Sequence, residues 1–257
     1  MHDVKDTTVA APGARYFLTE PLRGFADLAV LPLTAPWLAS APRGDGHGVL
    51  VLPGFMATDQ STVPLRQFTR RLGYATRGWN LGRNLGPTDR VLDELPRALA
   101  QLSETTAGPV SVIGWSLGGI YARELARQDP ARIRQVITLG SPFALTDPVQ
   151  SRADGAYRRR GHLHASTGRV PTIEQIIRPI KVPSTAVYSR RDGIVAWQAC
   201  IEPETELHAN VEVRCGHLGL GVDLATLWLI ADRLALPAGP QPRFRPRSSL
   251  RVMYPRM

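Results

Sequence analysis

One serine of this sequence has the surroundings of a nucleophile. Ser116 stands in the string GWSLGG at 114–119, directly after the apolar run PVSVIG and directly before the helix-forming stretch IYARELARQ. The pattern Gly-x-Ser-x-Gly is common by chance, so its place between a strand and a helix is the informative observation. A serine at such a turn projects its hydroxyl above the sheet, and the glycines let strand and helix pack closely. Ser116 is therefore the predicted nucleophile.

A serine hydroxyl needs a base that takes its proton, and that base needs a carboxylate that fixes its tautomer. His217 follows the apolar run VEVRCG, and Asp192 ends the run STAVYSRRD and precedes Gly193. Each of the three residues comes just past the carboxyl end of a predicted strand, in the chain order Ser, Asp, His. This order predicts acyl transfer with Asp192 as the acid and His217 as the base.

Other residues compete for these two roles. The remaining histidines lie before the last strand, in a polar stretch between strands, or ahead of the catalytic strands: His208, His162, His164, His2 and His47. Asp147 lies six residues beyond the strand that follows the nucleophile, and it stays open as the alternative acid. Taken singly, Asp192 would be read as a turn residue and His217 as the cap of a strand. The ordered set of three favours catalysis.

An oxyanion that develops on the substrate needs hydrogen-bond donors. The run GVLVLP ends at Gly54, whose backbone freedom lets the amide of Phe55 point toward the substrate oxygen. The amide of Leu117, in the first turn of the following helix, is the expected second donor. The alternative is that Pro53 and Gly54 form an ordinary turn.

The elements that must hold these residues follow one another regularly from residue 48 onward. The apolar β-branched runs are continuous, as in a sheet that is covered on both faces. Helical stretches separate the runs: 61–72, 89–102, 117–128 and 223–234. This alternation predicts an α/β fold with a mainly parallel central sheet and helices on both faces.

Three regions fall outside the alternation. Residues 1–45 are predicted to form a helical or extended extension of a domain that spans 46–236. Residues 143–181 are too polar for a core, which suits a lid-like insertion as well as a solvated surface excursion. Residues 237–257 form a Pro/Arg-rich basic tail that either docks on the domain or stays mobile, and a mobile terminus is the simpler expectation.

Composition and charge exclude several classes of protein. The chain has 257 residues, 43% of them hydrophobic, and a formal net charge of +9 from 29 arginines and 2 lysines. Five arginines and no acidic residue follow position 236, so the remaining chain carries only about +4. No nucleic-acid motif accompanies the charge, so nucleic acid is not an expected partner. Weak contact of the tail with an anionic membrane surface stays open, as does the oligomeric state.

The first residues lack a basic stretch followed by an apolar run, so the cytoplasm is the default expectation. The apolar segment 25–41 contains Asp27, Pro32 and Pro36, and it is too short and too interrupted to span a bilayer. It predicts a buried helix or one that covers a site.

The sequence indicates neither a nucleotide nor a metal. The glycine-rich stretch 78–87 lacks the Lys-Ser/Thr ending of a phosphate loop, so we expect it to border the site, with Asn84 or Arg83 bonded to its own backbone. No metal site is expected, because HExxH and CxxC patterns are absent, and acyl transfer by a serine needs no cofactor. A disulfide between Cys200 and Cys215 would join the loops of acid and base, but a reducing cytosol favours two buried thiols.

The chain resembles the α/β-hydrolase superfamily, specifically its bacterial lipase and carboxylesterase branch. Four motifs carry the resemblance, which covers roughly residues 46–236: LPGF at 52–55, GWSLGG at 114–119, YSRRDGIV at 188–195 and CGHLGL at 215–220. The resemblance implies the same three catalytic residues and the same two oxyanion donors as above. Pro53 stands where many relatives have His, which weakens the inference about the substrate more than the mechanism.

The predicted function is hydrolysis of carboxylic esters with hydrophobic acyl groups through an acyl-enzyme. Apolar residues near the predicted mouth are expected to contact the acyl group: Met56, Trp115, Phe143 and Leu218. An acyltransferase or a thioesterase would use the same triad, since it differs only in the substrate or the acyl acceptor. A non-catalytic lipid-binding or ligand-binding protein on the same fold is the alternative from another class.

Overall fold

The computed structural model describes residues 10–145, 150–166 and 168–255. The alternative acid Asp147 lies outside the described residues. A single sheet is built from six strands: β1 Gly48–Leu52, β2 Ala75–Gly78, β3 Val110–Trp115, β4 Ile133–Leu139, β5 Ser184–Ser189 and β6 His208–Val213. The strand order is β2-β1-β3-β4-β5-β6, and every neighbouring pair is parallel. The predicted α/β fold with a mainly parallel sheet is confirmed.

Eight α-helices accompany the sheet: α1 Ala14–Val30, α2 Ala35–Ala39, α3 Val63–Arg71, α4 Asp89–Thr105, α5 Leu117–Gln128, α6 Asp154–Arg158, α7 Ile173–Ile176 and α8 Leu224–Leu234, all within the described residues. Local capping explains where two of them begin. The Thr88 side chain accepts the Val91 N–H ahead of α4, and the Asp223 side chain accepts the Thr226 N–H ahead of α8.

Both faces of the sheet are covered, which explains the unbroken apolar strands. Alternate residues of β1 enter different cores: Val49 and Val51 pack with α3 and α8, whereas Leu50 and Leu52 pack with α4 and α5. Successive side chains of a strand point to opposite faces, so a strand between two cores must be apolar throughout.

The basic tail is folded onto the domain over its described part. Phe244, Leu250 and Tyr254 are buried in the same core as α8, and the Tyr254 hydroxyl donates to the Ala225 carbonyl at 2.7 Å. The expectation of a mobile tail is wrong for residues 237–255. Three apolar side chains supply the burial, and the surrounding Pro/Arg-rich composition hides them in the sequence.

The segment 25–41 is not a buried helix. The side chains of Phe25, Leu33 and Trp37 are all exposed, and the same surface continues along α1 through Leu18 and Leu22. No helix among the described residues combines the length and the apolar character needed to cross a membrane.

Candidate active site

The turn at Ser116 is strained and tightly packed. Ser116 has φ 52° and ψ −121° between β3 and α5, a conformation that is costly for a residue with a side chain. A Cβ atom at Gly114 would lie 2.4 Å from the Gly119 nitrogen, and one at Gly118 would lie 2.4 Å from the Leu52 carbonyl oxygen. These glycines let the helix start directly against the sheet, and a strained serine at such a turn is a frequent feature of functional sites.

The structure brings Asp192 and His217 together. His217 Nδ1 lies 2.6 Å from Asp192 Oδ2, and both side chains are buried. The other oxygen, Oδ1, accepts the N–H groups of Ile194 and Val195, each at 2.8 Å. Two backbone bonds therefore fix the direction in which the carboxylate faces the imidazole.

Burial disfavours the charged imidazole, but the negative charge and hydrogen bond of Asp192 and the charge of Glu20 outweigh it. The pKa of His217 is therefore raised above its ordinary value. A base with a raised pKa is better suited to take a proton from a hydroxyl group.

Ser116 lies on the same edge of the sheet as this pair. The Ser116 N–H donates to Leu139 at the end of β4, and a Cβ atom at the next residue, Gly140, would lie 3.0 Å from His217 Nδ1. The indole of Trp115 donates to the His217 carbonyl at 3.1 Å. Among the described residues no hydrogen bond joins Ser116 Oγ to the imidazole. The structure thus shows the Asp192–His217 contact directly and Ser116 on an adjoining loop.

The loop after β1 lies against Ser116. A Cβ atom at Gly54 would be 3.2 Å from Ser116 Cβ and 3.9 Å from its Oγ. Within the described chain, the amides of Phe55 and Leu117 donate to no protein acceptor. Both predicted oxyanion donors are therefore free for a ligand.

Asn84 holds this loop in place. Its side-chain amide donates to the Pro53 carbonyl at 2.9 Å, and its own carbonyl accepts the Met56 N–H at 2.7 Å. Asn84 is fully buried, and Tyr121 donates its hydroxyl to Asn84 Oδ1 at 3.3 Å. The sequence places Asn84 in a loop that borders the site, and the structure adds its bonds across to the loop after β1.

The four residues expected to contact the acyl group lie in different surroundings. Leu218 is 40% exposed and Met56 is half-buried. Trp115 is buried, and its indole supports the base loop. Phe143 is 1% exposed, and the Arg123 guanidinium lies 4.0 Å from its ring centroid, so this side chain belongs to the interior instead of the mouth. The apolar character of Phe143 does not by itself distinguish a residue of the mouth from a residue of the interior.

The insertion 143–181 contacts the site through its described residues. Tyr157 on α6 packs edge-on against Phe55 with ring centroids 5.5 Å apart, and His164 lies against Tyr157 at 4.6 Å. The backbone of Ala165 donates to the Pro87 carbonyl at 2.9 Å. The insertion therefore packs on both loops that border Ser116.

Three solved structures share this architecture at low sequence identity. Aspergillus fumigatus lipase B has a TM-score of 0.56 and 16% identity, with 79% of this chain and 56% of that chain covered. The mature lipase BlEst2 of Bacillus licheniformis has a TM-score of 0.55 and 14% identity, with 77% and 95% covered. An alpha/beta superfamily hydrolase from Oenococcus oeni has a TM-score of 0.54 and 17% identity, with 74% and 92% covered. The chain has the α/β-hydrolase fold.

Sequence comparison adds little to this α/β-hydrolase fold. A curated protein, the biotin biosynthesis bifunctional protein BioHC of Teredinibacter turnerae, is 41% identical over 54 residues. That match covers 21% of this chain and only 10% of the curated protein. No family model matches the sequence.

Glu20 is a residue of the site that sequence reasoning missed. It projects from α1, is 2% exposed, and accepts the N–H groups of Gly193, His217 and Leu218. The sequence offers only an acidic residue in a stretch that also carries Arg15, Arg23 and Asp27. That signal does not say which loops the carboxylate would meet.

A second hydrogen-bonded set of Ser, His and Asp side chains lies at the opposite ends of the strands of this α/β-hydrolase sheet. His47 Nδ1 lies 2.5 Å from Asp45 Oδ1, and its Nε2 lies 2.8 Å from Ser111 Oγ. Ser111 is fully buried inside β3, at an irregularity in its pairing with β4, so no substrate reaches its hydroxyl. Burial lowers the pKa of His47 against the opposing hydrogen bond to Asp45. Hydrogen-bonded geometry alone therefore does not identify a nucleophile in this protein.

The two thiols are separate. Cys200 and Cys215 are free and buried, and burial raises the pKa of both. Of the two alternatives left open by the sequence, the structure has the pair of buried thiols. Within the described residues, no group of three or more His, Cys, Asp or Glu side chains is arranged to hold a metal ion.

Proposed function

We propose that this protein is a serine hydrolase that cleaves carboxylic esters of hydrophobic acids through an acyl-enzyme on Ser116. The observation that carries the proposal is the buried pair of His217 and Asp192, 2.6 Å apart, at the edge of the sheet where Ser116 occupies its strained turn. Two of the three similar structures named above are lipases, which agrees with this activity.

In the first half of the reaction, Ser116 Oγ attacks the ester carbonyl carbon while His217 Nε2 takes the hydroxyl proton. The amides of Phe55 and Leu117 donate to the resulting oxyanion. The intermediate collapses, the C–O bond to the alcohol breaks, and His217 returns its proton to the leaving alkoxide oxygen.

In the second half, His217 takes a proton from water, and the hydroxide oxygen attacks the acyl carbon. Collapse of the second intermediate breaks the bond to Ser116 Oγ, which regains the proton, and the acid leaves. Asp192 keeps its proton-free form throughout and stabilises the charged imidazole.

The pH dependence follows from the base. His217 must be neutral to accept the serine proton, so kcat/KM should rise with pH as the free enzyme loses this proton. Because Asp192 and Glu20 overcome burial and raise the pKa of His217, the rise is expected above the pH range of an exposed histidine.

The surroundings favour an apolar acyl group. Exposed Leu218 follows the base directly and packs against Gly24 of α1, and Phe55 in the loop after β1 forms an aromatic pair with Tyr157. Burying each methylene of an acyl chain on such a surface would contribute about 0.8 kcal/mol.

Two variants test the proposal against the second hydrogen-bonded set of Ser, His and Asp side chains. A fluorophosphonate probe and a panel of p-nitrophenyl esters of increasing chain length are applied to the wild type, Ser116→Ala and Ser111→Ala. We expect the wild type to be labelled and active, Ser116→Ala to lose both properties, and Ser111→Ala to keep both at a lower melting temperature. Loss of a buried hydrogen-bond partner costs about 1 to 3 kcal/mol of stability. Unchanged labelling of Ser116→Ala, or an inert wild type, would contradict the proposal.

A further inference from the structure

The N-terminal helix delivers a carboxylate to the space between the acid loop and the base loop. Glu20 Oε1 accepts the Gly193 N–H at 2.7 Å and the His217 N–H at 3.0 Å, and Oε2 accepts the Leu218 N–H at 3.1 Å. Gly193 directly follows the acid, and His217 is the base itself. One side chain therefore connects the backbones on either side of the Asp192–His217 contact.

The helix α1 packs closely on both loops. A Cβ atom at Gly216 would lie 2.8 Å from Glu20 Oε2, and a Cβ atom at Gly193 would lie 2.4 Å from the backbone carbon of Tyr16 on α1. Glycines in both loops thus allow α1 to approach closely. Hydrogen bonds from N–H groups to a charged acceptor are roughly twice as strong as neutral ones, so the three bonds hold both loops firmly.

Arg23, one helical turn along α1, completes the arrangement. Its Nη2 lies 2.8 Å from Glu20 Oε1, and its Nη1 donates to the Arg191 carbonyl, just before the acid, at 2.9 Å. Arg23 therefore balances the buried negative charge of Glu20 and adds a second connection from α1 to the loop of Asp192.

We propose that Glu20 is a positioning residue of the active site, which sets the distance and orientation between the loop of Asp192 and the loop of His217. The proposal rests on the function given above and extends it to α1, a helix outside the sheet domain. Glu20 touches neither the substrate nor the reacting atoms. It acts through the backbones that carry the acid and the base.

The pKa of His217 depends on the charge of Glu20, and it would not change if Glu20 only filled space. The titratable and charged groups around the base come from three segments: Glu20, Arg23 and Asp27 on α1, Asp192 after β5, and Cys215 and Asp223 between β6 and α8. Burial lowers the pKa of His217, whereas Asp192 and Glu20 raise it. Removing the charge of Glu20 must therefore let the His217 proton leave at lower pH.

Two substitutions separate the charge of Glu20 from the length of its side chain. Glu20→Gln keeps the length of the side chain but loses the charge and one of its two acceptor oxygens. Glu20→Asp keeps the charge but shortens the side chain by one methylene. The matched control is Glu94→Gln on α4, which removes the same kind of i,i+3 pair, here with Arg97 at 2.8 Å, on an exposed surface.

We expect kcat to fall about tenfold in Glu20→Gln and in Glu20→Asp with little change in KM, because small displacements of catalytic groups cost about one to two orders of magnitude. The acidic limb of the pH profile should move to lower pH in Glu20→Gln and stay in place in Glu20→Asp. Glu94→Gln should match the wild type in every respect. Wild-type kcat and an unmoved acidic limb in Glu20→Gln would overturn the proposal.

A second measurement does not depend on activity. The ring signal of His217, assigned in NMR spectra with the variant His217→Gln, is titrated in the wild type and in Glu20→Gln, and its midpoint should fall in the variant. If the wild type neither reacts with a fluorophosphonate nor cleaves esters, the proposed function fails, while this titration still tests whether the Glu20 charge acts on His217.

If Glu20→Gln does not fold, Arg23→Gln replaces it. Loss of the balancing cation leaves the Glu20 charge in place, so the His217 midpoint should rise. An unchanged or lowered midpoint in a folded Arg23→Gln variant would overturn the proposal.

Discussion

Replacing Asp192 by Asn exchanges one oxygen for an NH2 group, and the surrounding bonds determine where that group goes. Oδ1 accepts the N–H groups of Ile194 and Val195 at 2.8 Å each, so the amide oxygen of Asn must occupy that position. The NH2 group then faces His217 Nδ1, whose N–H donated a hydrogen bond to the carboxylate before. Nδ1 must become an acceptor, and the imidazole proton moves to Nε2.

The size of the effect follows from the same bonds. Turning the amide over would set NH2 against two backbone N–H groups and leave both donors unpaired, at about 1 to 3 kcal/mol each. The tautomer with a protonated Nε2 is therefore favoured by about 2 to 6 kcal/mol, and it cannot accept the Ser116 proton. Loss of the correct tautomer in a triad lowers kcat by about 10⁴, which corresponds to about 5.5 kcal/mol.

The assay is kcat/KM for the best p-nitrophenyl ester, with circular dichroism as a check of the fold. Asp129→Asn is the control, because Asp129 also accepts a backbone N–H but lies before β4, at the opposite edge of the sheet. We expect a loss of about 10³ to 10⁴ in Asp192→Asn and wild-type rates in Asp129→Asn. A folded Asp192→Asn variant within tenfold of the wild type would refute the assignment and return attention to Asp147.

Three further substitutions test other parts of the structure. In Gly140→Ala, a new Cβ atom 3.0 Å from His217 Nδ1 at a residue with φ 56° should lower kcat/KM about 100-fold in a protein that still folds, as kinetics and circular dichroism would show. Asp27 is half-buried, and burial, followed by repulsion from Asp223, raises its pKa from 3.8 to about 6. The protonated side chain of Asp27 therefore favours the folded state below about pH 4. This contribution to the free energy of unfolding is lost as the pH rises to about 6. Urea unfolding of Asp27→Asn should accordingly show a gain of about 1 to 2 kcal/mol at pH 7.5 and none at pH 3.5, after allowance for partial exposure; an equal change at both pH values would contradict this. Leu250→Ala should cost about 2 to 4 kcal/mol in the same experiment, because the tail is part of the core; no loss would mean that the tail is mobile.

Features that depend on neighbouring residues could be predicted from the sequence. β1 reads as an apolar run because Val49 and Leu50 enter different cores, and Ser116 stands out because strand, turn and helix are contiguous. The order of Ser116, Asp192 and His217 carried the same information, since parallel strands bring their carboxyl ends to one edge.

Features that depend on distant contacts could not be predicted. Glu20 meets Gly193 and His217 across separations of 173 and 197 residues, and no local pattern encodes such a pairing. Phe143 is apolar, as a residue that contacts an acyl group would be, but its side chain is buried in the interior. The hydrogen bond between His47 and Ser111 likewise spans 64 residues.

The contacts of Glu20 also set an order of events on the ribosome. At about 5 to 20 residues per second, α1 emerges roughly 10 to 40 s before the loop of His217 exists. During that interval its carboxylate lacks the N–H groups of Gly193, His217 and Leu218 that it binds in the folded protein. Under the proposed function, a nascent chain would acquire hydrolytic activity only after the loop of His217 has been synthesised and has packed on α1.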